Sequence, residues 1–283
     1  MSAVLALLAS VLWGTSDFLG GTASRSAPVG SVLGLSQLAA LLGLVPVAVL
    51  TSELGADRAY VLPAAVAGAV GMAALAAFYR ALATGTMGVV APIAALGVVV
   101  PVAAGLLAGE APSSLQLAGI AVAVTGVVLA SGPELRGQGR GGATPLLLAL
   151  FAACGFGAVL VLIAKGAEHS VVMTLLTMRL TAVLLLTALL LATAHRRGFD
   201  LAVSRAQLPL VAAIGTGDVL ANGAFALASA RAGALVSVTA VLASLYPVVT
   251  VLLARQVHGE RLKGLQVAGV VGALGGVVLL AGG

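Results

Sequence analysis

The sequence predicts an all-α integral membrane protein of ten transmembrane helices, arranged as two inverted five-helix repeats. Three observations predict it: a scarcity of charge, ten apolar runs of membrane-crossing length, and a pattern that recurs at one spacing in the two halves of the chain.

Only 8% of the 283 residues are charged, while 61% are hydrophobic, and the mean hydropathy is +1.19. A soluble domain carries about 25% charged residues because its surface faces water. So few charges cannot cover a globule of this size, so lipid must be the solvent for most of the surface. The net charge is +5, but the basic residues are scattered through short breaks. The long basic stripe of a nucleic-acid binder is absent, so no nucleic-acid partner is expected and the loop charges read as topology signals. Cys154 is the only cysteine; it excludes an intrachain disulfide or a CxxC pair and reads as a small packed residue. No Lys or Arg precedes the apolar stretch from Met1 to Leu12, and Trp13 and Asp17 follow inside the same run. That run reads as a retained first helix and not as a signal peptide.

A helix needs about 20 apolar residues to cross a hydrocarbon core of ~30 Å. With charges and Gly/Pro clusters as boundaries, the runs are roughly 3–21, 30–50, 60–83, 86–108, 114–132, 144–164, 171–194, 208–229, 233–254 and 264–282. The strongest break, PELRGQGRGG at 133–142, divides them five and five. This predicts repeats over 1–132 and 144–283 joined by a linker at 133–143.

The repeat is visible in residues. Residues 109–129 read GEAPSSLQLAGIAVAVTGVVL and residues 259–279 read GERLKGLQVAGVVGALGGVVL. Apolar bias does not supply Gly-Glu and Leu-Gln at one fixed spacing. Upstream, Ala81-Leu82-Ala83 and Gly88 align with Ala226-Leu227-Ala228 and Gly233. Pro101 and Pro247 mark similar points in the fourth and ninth runs. Pro101 lies eight residues before Gly109 and Pro247 twelve before Gly259, which predicts a helix end shorter by one turn in the first half. Five is odd, so the second half enters the membrane from the opposite side. That is the plan of many secondary transporters, whose interrupted helices point to the substrate site.

With Trp13-Gly14-Thr15 in the first run, the two Gly-Glu pairs and the five-plus-five repeat, the chain resembles an EamA-type member of the drug/metabolite transporter superfamily along its whole length. The resemblance implies a ten-helix basket with a central cavity and movement of small metabolites. It implies no particular substrate.

Ionisable residues inside a span are costly and should face a cavity or a partner. Arg179 and Asp218 lie at similar depth in adjacent antiparallel runs. They either neutralise each other and lock the helices, or Arg179 holds an anionic group of a substrate or Asp218 carries a coupling proton. Asp17 lies late in the first run, and either pairs with Arg80 as a gate or is an interfacial charge. Asn222, one turn after Asp218, shares its face. Gln37 occupies the position in the first half that Arg179 occupies in the second. Asn222, Gln37 and Tyr79 are either lining residues or cross-helix hydrogen-bonding groups; Trp13 and Tyr246 either stack on a substrate or pack. Glu110 and Glu260 open the fifth and tenth helices and are expected to cap them. No Walker A, HExxH or GxSxG pattern is present, and His169, His195 and His258 are dispersed, so no enzyme activity, metal or cofactor is expected.

The expectation is a multi-pass secondary transporter of the cell (inner) membrane, an exporter of a small metabolite or drug-like molecule working by alternating access, with a proton as a candidate coupling ion. The alternative is a non-transporting membrane scaffold or accessory subunit. Loop charge places Arg25, Arg80, Arg136, Arg140, Arg196, Arg197, Arg205, Arg255, Arg261 and Lys263 on one side, against Arg58, Lys165 and Arg231 on the other. The positive-inside rule puts the first side in the cytoplasm and both termini outside; the resemblance implies the reverse.

Overall fold

A computed structural model describes residues 1–51, 53–131, 143–197, 203–231, 235–259 and 264–282, all of it helix, turn or loop. The linker at 133–142, Arg136, Arg140, Glu260, Arg261 and Lys263 lie outside the described residues. The helices are α1 (Ser2–Ala23), α2 (Val29–Leu50), α3 (Val61–Thr84), α4 (Met87–Ala95), α5 (Val99–Leu107), α6 (Ser114–Ser131), α7 (Thr144–Ala167), α8 (Val171–Arg197), α9 (Leu208–Ser229), α10 (Val236–Ala243), α11 (Tyr246–His258) and α12 (Gly264–Gly282). Among the described residues, seven segments are long and apolar enough to cross a membrane: α1, α2, α3 with its preceding turn, α7, α8, α9 with its preceding turn, and α10 with α11.

Each long helix shows lipid on one side and protein on the other. On α1, Val4, Leu8 and Val11 are exposed, while Ser10, Gly14, Asp17 and Gly21 are buried. Both sets step by three or four residues, so each forms one helix face. On α2, Leu38, Leu42, Val45 and Val49 face outward, and Leu33, Gln37, Ala40, Leu44 and Ala48 face inward. Leucine outside and alanine or glycine inside inverts the soluble pattern, because lipid offers no hydrophobic penalty and close backbone packing must hold the helices. Cys154, expected to be packed, is exposed on the outer surface of α7; its apolar surroundings in sequence are lipid-facing ones.

The helices pair between halves in exchange-related sets. α1 packs on α9 as α7 packs on α3; α1 packs on α10 as α7 packs on α4, and on α11 as α7 packs on α5; α10 packs on α5 as α4 packs on α11. The pairs α2–α8 and α6–α12 are their own images. Glycine makes two of these contacts possible at equivalent places. An added Cβ at Gly14 would lie 2.5 Å from the Tyr246 carbonyl oxygen, and one at Gly157 would lie 2.2 Å from that of Gly97.

The fourth and ninth runs are interrupted, as their prolines suggest. A 3₁₀ turn over Leu96–Val98 separates α4 from α5, and Ser244 and Leu245 separate α10 from α11. Each proline falls in the first turn after its break, where its missing N–H costs nothing. The expected one-turn difference in helix end is present: α5 has 9 residues and α11 has 13, so the helix after the break is shorter by about one turn in the first half.

Both repeat glycines have left-handed backbone, φ 89° at Gly109 and 66° at Gly259, which glycine adopts without a Cβ clash. Glu110 does not cap the helix it precedes. Its carboxylate accepts hydrogen bonds from the backbone N–H groups of Val236 (2.7 Å) and Ser237 (3.1 Å) and from the Ser237 hydroxyl (2.5 Å). It therefore caps α10, in the other half. α6 is capped by its own box: Ser113 N–H donates to Gln116 Oε1 (2.8 Å) and Gln116 N–H donates to Ser113 Oγ (3.1 Å). The Gly-Glu and Leu-Gln of the first half thus mark two different helix starts.

Candidate functional site

The broken helices meet the long ones around one cavity of about 790 Å³ of empty space. It is lined from α1 (Trp13, Asp17), α2 (Gln37), α3 (Gly68, Gly71, Met72, Leu75) and the α4–α5 break (Ala94, Ala95, Gly97, Val98). The second half contributes α7 (Phe156, Gly157, Val159, Leu160), α8 (Met178, Arg179, Ala182), α9 (Asp218, Asn222) and the α10–α11 break (Ser244, Tyr246). α6 and α12 pack on each other and supply none of the lining among the described residues.

Most of the polar lining gathers at one constellation, with Asp17, Ser244 and Tyr246 apart from it. Arg179 Nη2 stands 2.8 Å from Asp218 Oδ2, with the two side chains only 3% and 14% exposed. Arg179 Nη1 donates to Gln37 Oε1 at 2.7 Å. Asn222 Nδ2 donates to Asp218 Oδ1 at 3.0 Å and to its backbone oxygen at 2.7 Å. Three helices are therefore tied by one guanidinium: α2 through Gln37, α8 through its own backbone, α9 through Asp218. The helical phase explains the meeting. On α9, Val211, Gly215, Asn222 and Phe225 are buried at steps of three, four or seven, and Asp218 lies in that row. Close approach supplies the rest, since a Cβ at Gly215 would sit 2.0 Å from the Ser36 carbonyl oxygen.

Asp17 is 8% exposed and lines the cavity one turn beyond Trp13. It lies within electrostatic reach of Asp218 and makes no hydrogen bond or ion pair among the described residues. The expected pairing with Arg80 does not form: Arg80 is exposed on α3. Nor is Asp17 interfacial, because the inner face of α1 carries it into the protein. Trp13 packs its ring on Phe225, centroids 5.9 Å apart. Tyr246 meets Phe78 edge-on at 6.4 Å, and its buried hydroxyl has no hydrogen-bond partner among the described residues. Tyr79 is not part of the lining. It is 1% exposed, and its ring end fills the notch that Gly20 leaves on α1, where a Cβ would lie 2.2 Å from Tyr79 Cζ. Phe156 and Met72 line the cavity without any advance signal, being apolar residues in apolar helices. No group of three metal-ligating side chains occurs among the described residues.

Polar contacts between the halves also cluster at the helix ends. At one end Ser170 hydrogen-bonds Glu53, His169 Nδ1 lies 3.6 Å from Asp57, and Glu110 caps α10. At the other, Thr22 Oγ1 lies 3.0 Å from His258 Nε2, and Gln207 donates to Ser26 at 3.3 Å.

An all-helical, multi-pass assembly of two exchange-related halves, closing on a cavity with a few buried charges, defines a membrane protein of the two-repeat transporter class. The profile of the EamA-like transporter family matches residues 1–132 and 143–282. The chain belongs to that family, which places it among the membrane transporters of the drug/metabolite transporter superfamily. A solved structure described only as a crystal structure of a protein is similar in fold, with a TM-score of 0.71 at 18% identity over 99% of this chain and 98% of the other. No curated protein matches the chain.

Proposed function

We propose that the protein is a secondary transporter that exports a small metabolite or drug-like molecule across the inner cell membrane by alternating access. The observation that carries this is the cavity between the halves, holding Arg179, Asp218 and Asp17 in a largely apolar wall. Buried charge in a membrane protein marks a substrate or ion path, and interrupted helices facing each other across a repeat interface mark the site. In this reading all ten runs cross, α4 with α5 counting as one span and α6 and α12 as the fifth and tenth. At ~1.5 Å per residue, the 18 residues of α6 and the 19 of α12 approach the ~30 Å required. The two halves, 1–132 and 144–283, are then inverted about the 133–143 linker. The end contacts suit alternation: opening toward one side separates Glu53, Asp57 and Glu110 from their partners, and opening toward the other separates Thr22 and Ser26 from theirs.

The scaffold reading requires an Arg179–Asp218 pair packed without a cavity. The pair opens onto the cavity, which favours transport. The test is flux in sealed proteoliposomes, using a compound found by thermal stabilisation of the purified protein. Arg179→Gln and Asp218→Asn are expected to abolish or strongly reduce flux. Flux and pH dependence that survive both replacements would end this assignment.

A further inference from the structure

We infer that the cavity takes an organic cation with an aromatic or apolar body, its positive charge set against Asp17. This rests on the cavity being the transport site, and it adds a substrate class to that reading.

The charge balance of the wall carries it. Among the lining residues only Asp17, Arg179 and Asp218 are ionisable as acid or base in the neutral range. Arg179 and Asp218 satisfy each other at 2.8 Å, and the remaining bonds of the pair go to Gln37 and Asn222. That leaves one carboxylate. Asp17 is nine-tenths buried at 8% exposure, has no hydrogen bond or ion pair among the described residues, and opens into the cavity. A lone carboxylate in a low-dielectric site is costly until a proton or another positive charge neutralises it, and an organic cation can take the proton's place. A bound anion would face two carboxylates and find Arg179 already neutralised by Asp218, although its Nε and Nη2 make no hydrogen bond. A monovalent cation brings the wall to neutrality.

The surrounding surface fits the rest of such a molecule. Trp13 lies one turn from Asp17 on the same face, and Phe156 and Tyr246 also line the space; aromatic faces attract organic cations. The Tyr246 hydroxyl, buried without a partner among the described residues, stands ready for one hydrogen bond.

Trp13 is the only tryptophan in the chain and lines the cavity, so its fluorescence reports occupancy. Purified full-length protein is titrated with benzyltrimethylammonium, with neopentylbenzene (the same shape without the charge) and with phenylacetate. The cation is expected to change the emission saturably, with both comparison compounds binding more weakly by roughly tenfold, the scale of a desolvated cation–π and charge contact. Asp17→Asn is expected to weaken the cation about tenfold, and Asp17→Glu to retain it. A neutral isostere that binds as well as the cation, a preference for phenylacetate, or an Asp17→Asn protein of unchanged cation affinity would overturn the inference. If Asp17→Asn does not fold, the charge series on the unaltered protein decides. Proteoliposome flux separates the two readings. Cation binding without movement of any bound compound counts against transport and leaves the cation site. Movement of an anion with no cation binding counts against the cation site and leaves transport.

Discussion

Replacing Arg179 with Met keeps an unbranched side chain of similar volume and removes its charge. Asp218 is then left 14% exposed with one amide donor from Asn222 and no counter-charge. Breaking a buried ion pair from one side costs about 3–5 kcal/mol, because the remaining charge is desolvated and unpaired. The loss of the 2.7 Å hydrogen bond to Gln37 is included in that figure, since its acceptor keeps only apolar neighbours. Asp218→Leu should cost a similar amount for the converse reason. The double replacement Arg179→Met/Asp218→Leu removes both charges, and an apolar pair of similar volume is often neutral, within about 1 kcal/mol. The expected coupling energy, the two single costs less that of the double, is therefore on the order of 5–10 kcal/mol in favour of the pair. Unfolding midpoints of the purified proteins in a graded denaturing detergent close the cycle. Flux adds the functional half: the double variant should be folded and inert. Single replacements that cost less than about 1 kcal/mol each and simply add would refute the geometry of a desolvated pair. A double variant with full flux would refute its role in transport.

Glu110→Ala deletes the cap on α10 and should cost about 1–2 kcal/mol, with Glu110→Gln retaining part of it; detergent-unfolding midpoints read this, and no loss would place the carboxylate elsewhere. Gly14→Ala and Gly157→Ala each push a Cβ to within 2.5 Å of a backbone carbonyl oxygen, which cannot rotate away; each should cost about 1–3 kcal/mol of packing, and a harmless substitution at either site would contradict the close crossing. With Cys154 changed to Ser, a single cysteine at Ser204 should resist an impermeant maleimide in intact cells if the loop-charge bias governs insertion; ready labelling would support the orientation the family resemblance implies.

The charged part of the site was legible because membrane interiors are nearly silent. Against a background of Val, Leu, Ala and Gly, residues such as Arg179, Asp218 and Asp17 stand out, and their cost in lipid obliges them to face inward. The same logic found Trp13, Gln37, Asn222 and Tyr246. It failed for Tyr79, which continues the lining row of Gly68, Met72 and Leu75 by one more turn. The missing side chain of Gly20 draws its ring into a packing notch, and that depends on how α1 crosses α3. Glu110 shows a second limit. Its position before α6 is local information, but its partner at Val236 is 126 residues away, and only the packing of α5 on α10 joins them. The prolines located both helix breaks and the length difference after them, because proline is tolerated in a first helical turn and so marks where each outer helix starts.

The meeting of Gln37 with Arg179 says more than either residue does. They occupy corresponding places in the two halves, and they touch each other at 2.7 Å. Positions exchanged by a twofold relation can contact their own images only near its axis, so the axis of the proposed inversion passes through this hydrogen bond. The α2–α8 pairing, its own image, agrees. The axis is decorated unequally: a neutral amide from one half and a cation from the other. Asp218 lies on α9, which packs on both α2 and α8. The double exchange Gln37→Arg/Arg179→Gln therefore moves the charge across the axis while keeping a guanidinium in reach of Asp218. It should recover most of the stability lost in Arg179→Gln alone, a loss on the order of 3 kcal/mol from the orphaned carboxylate. Since the two access states swap the roles of the halves, it should also shift the balance between them, read as a change in side-specific accessibility of a cavity cysteine at Ser244. An exchange no more stable than Arg179→Gln alone would place the axis elsewhere and remove the structural basis for treating the halves as interchangeable.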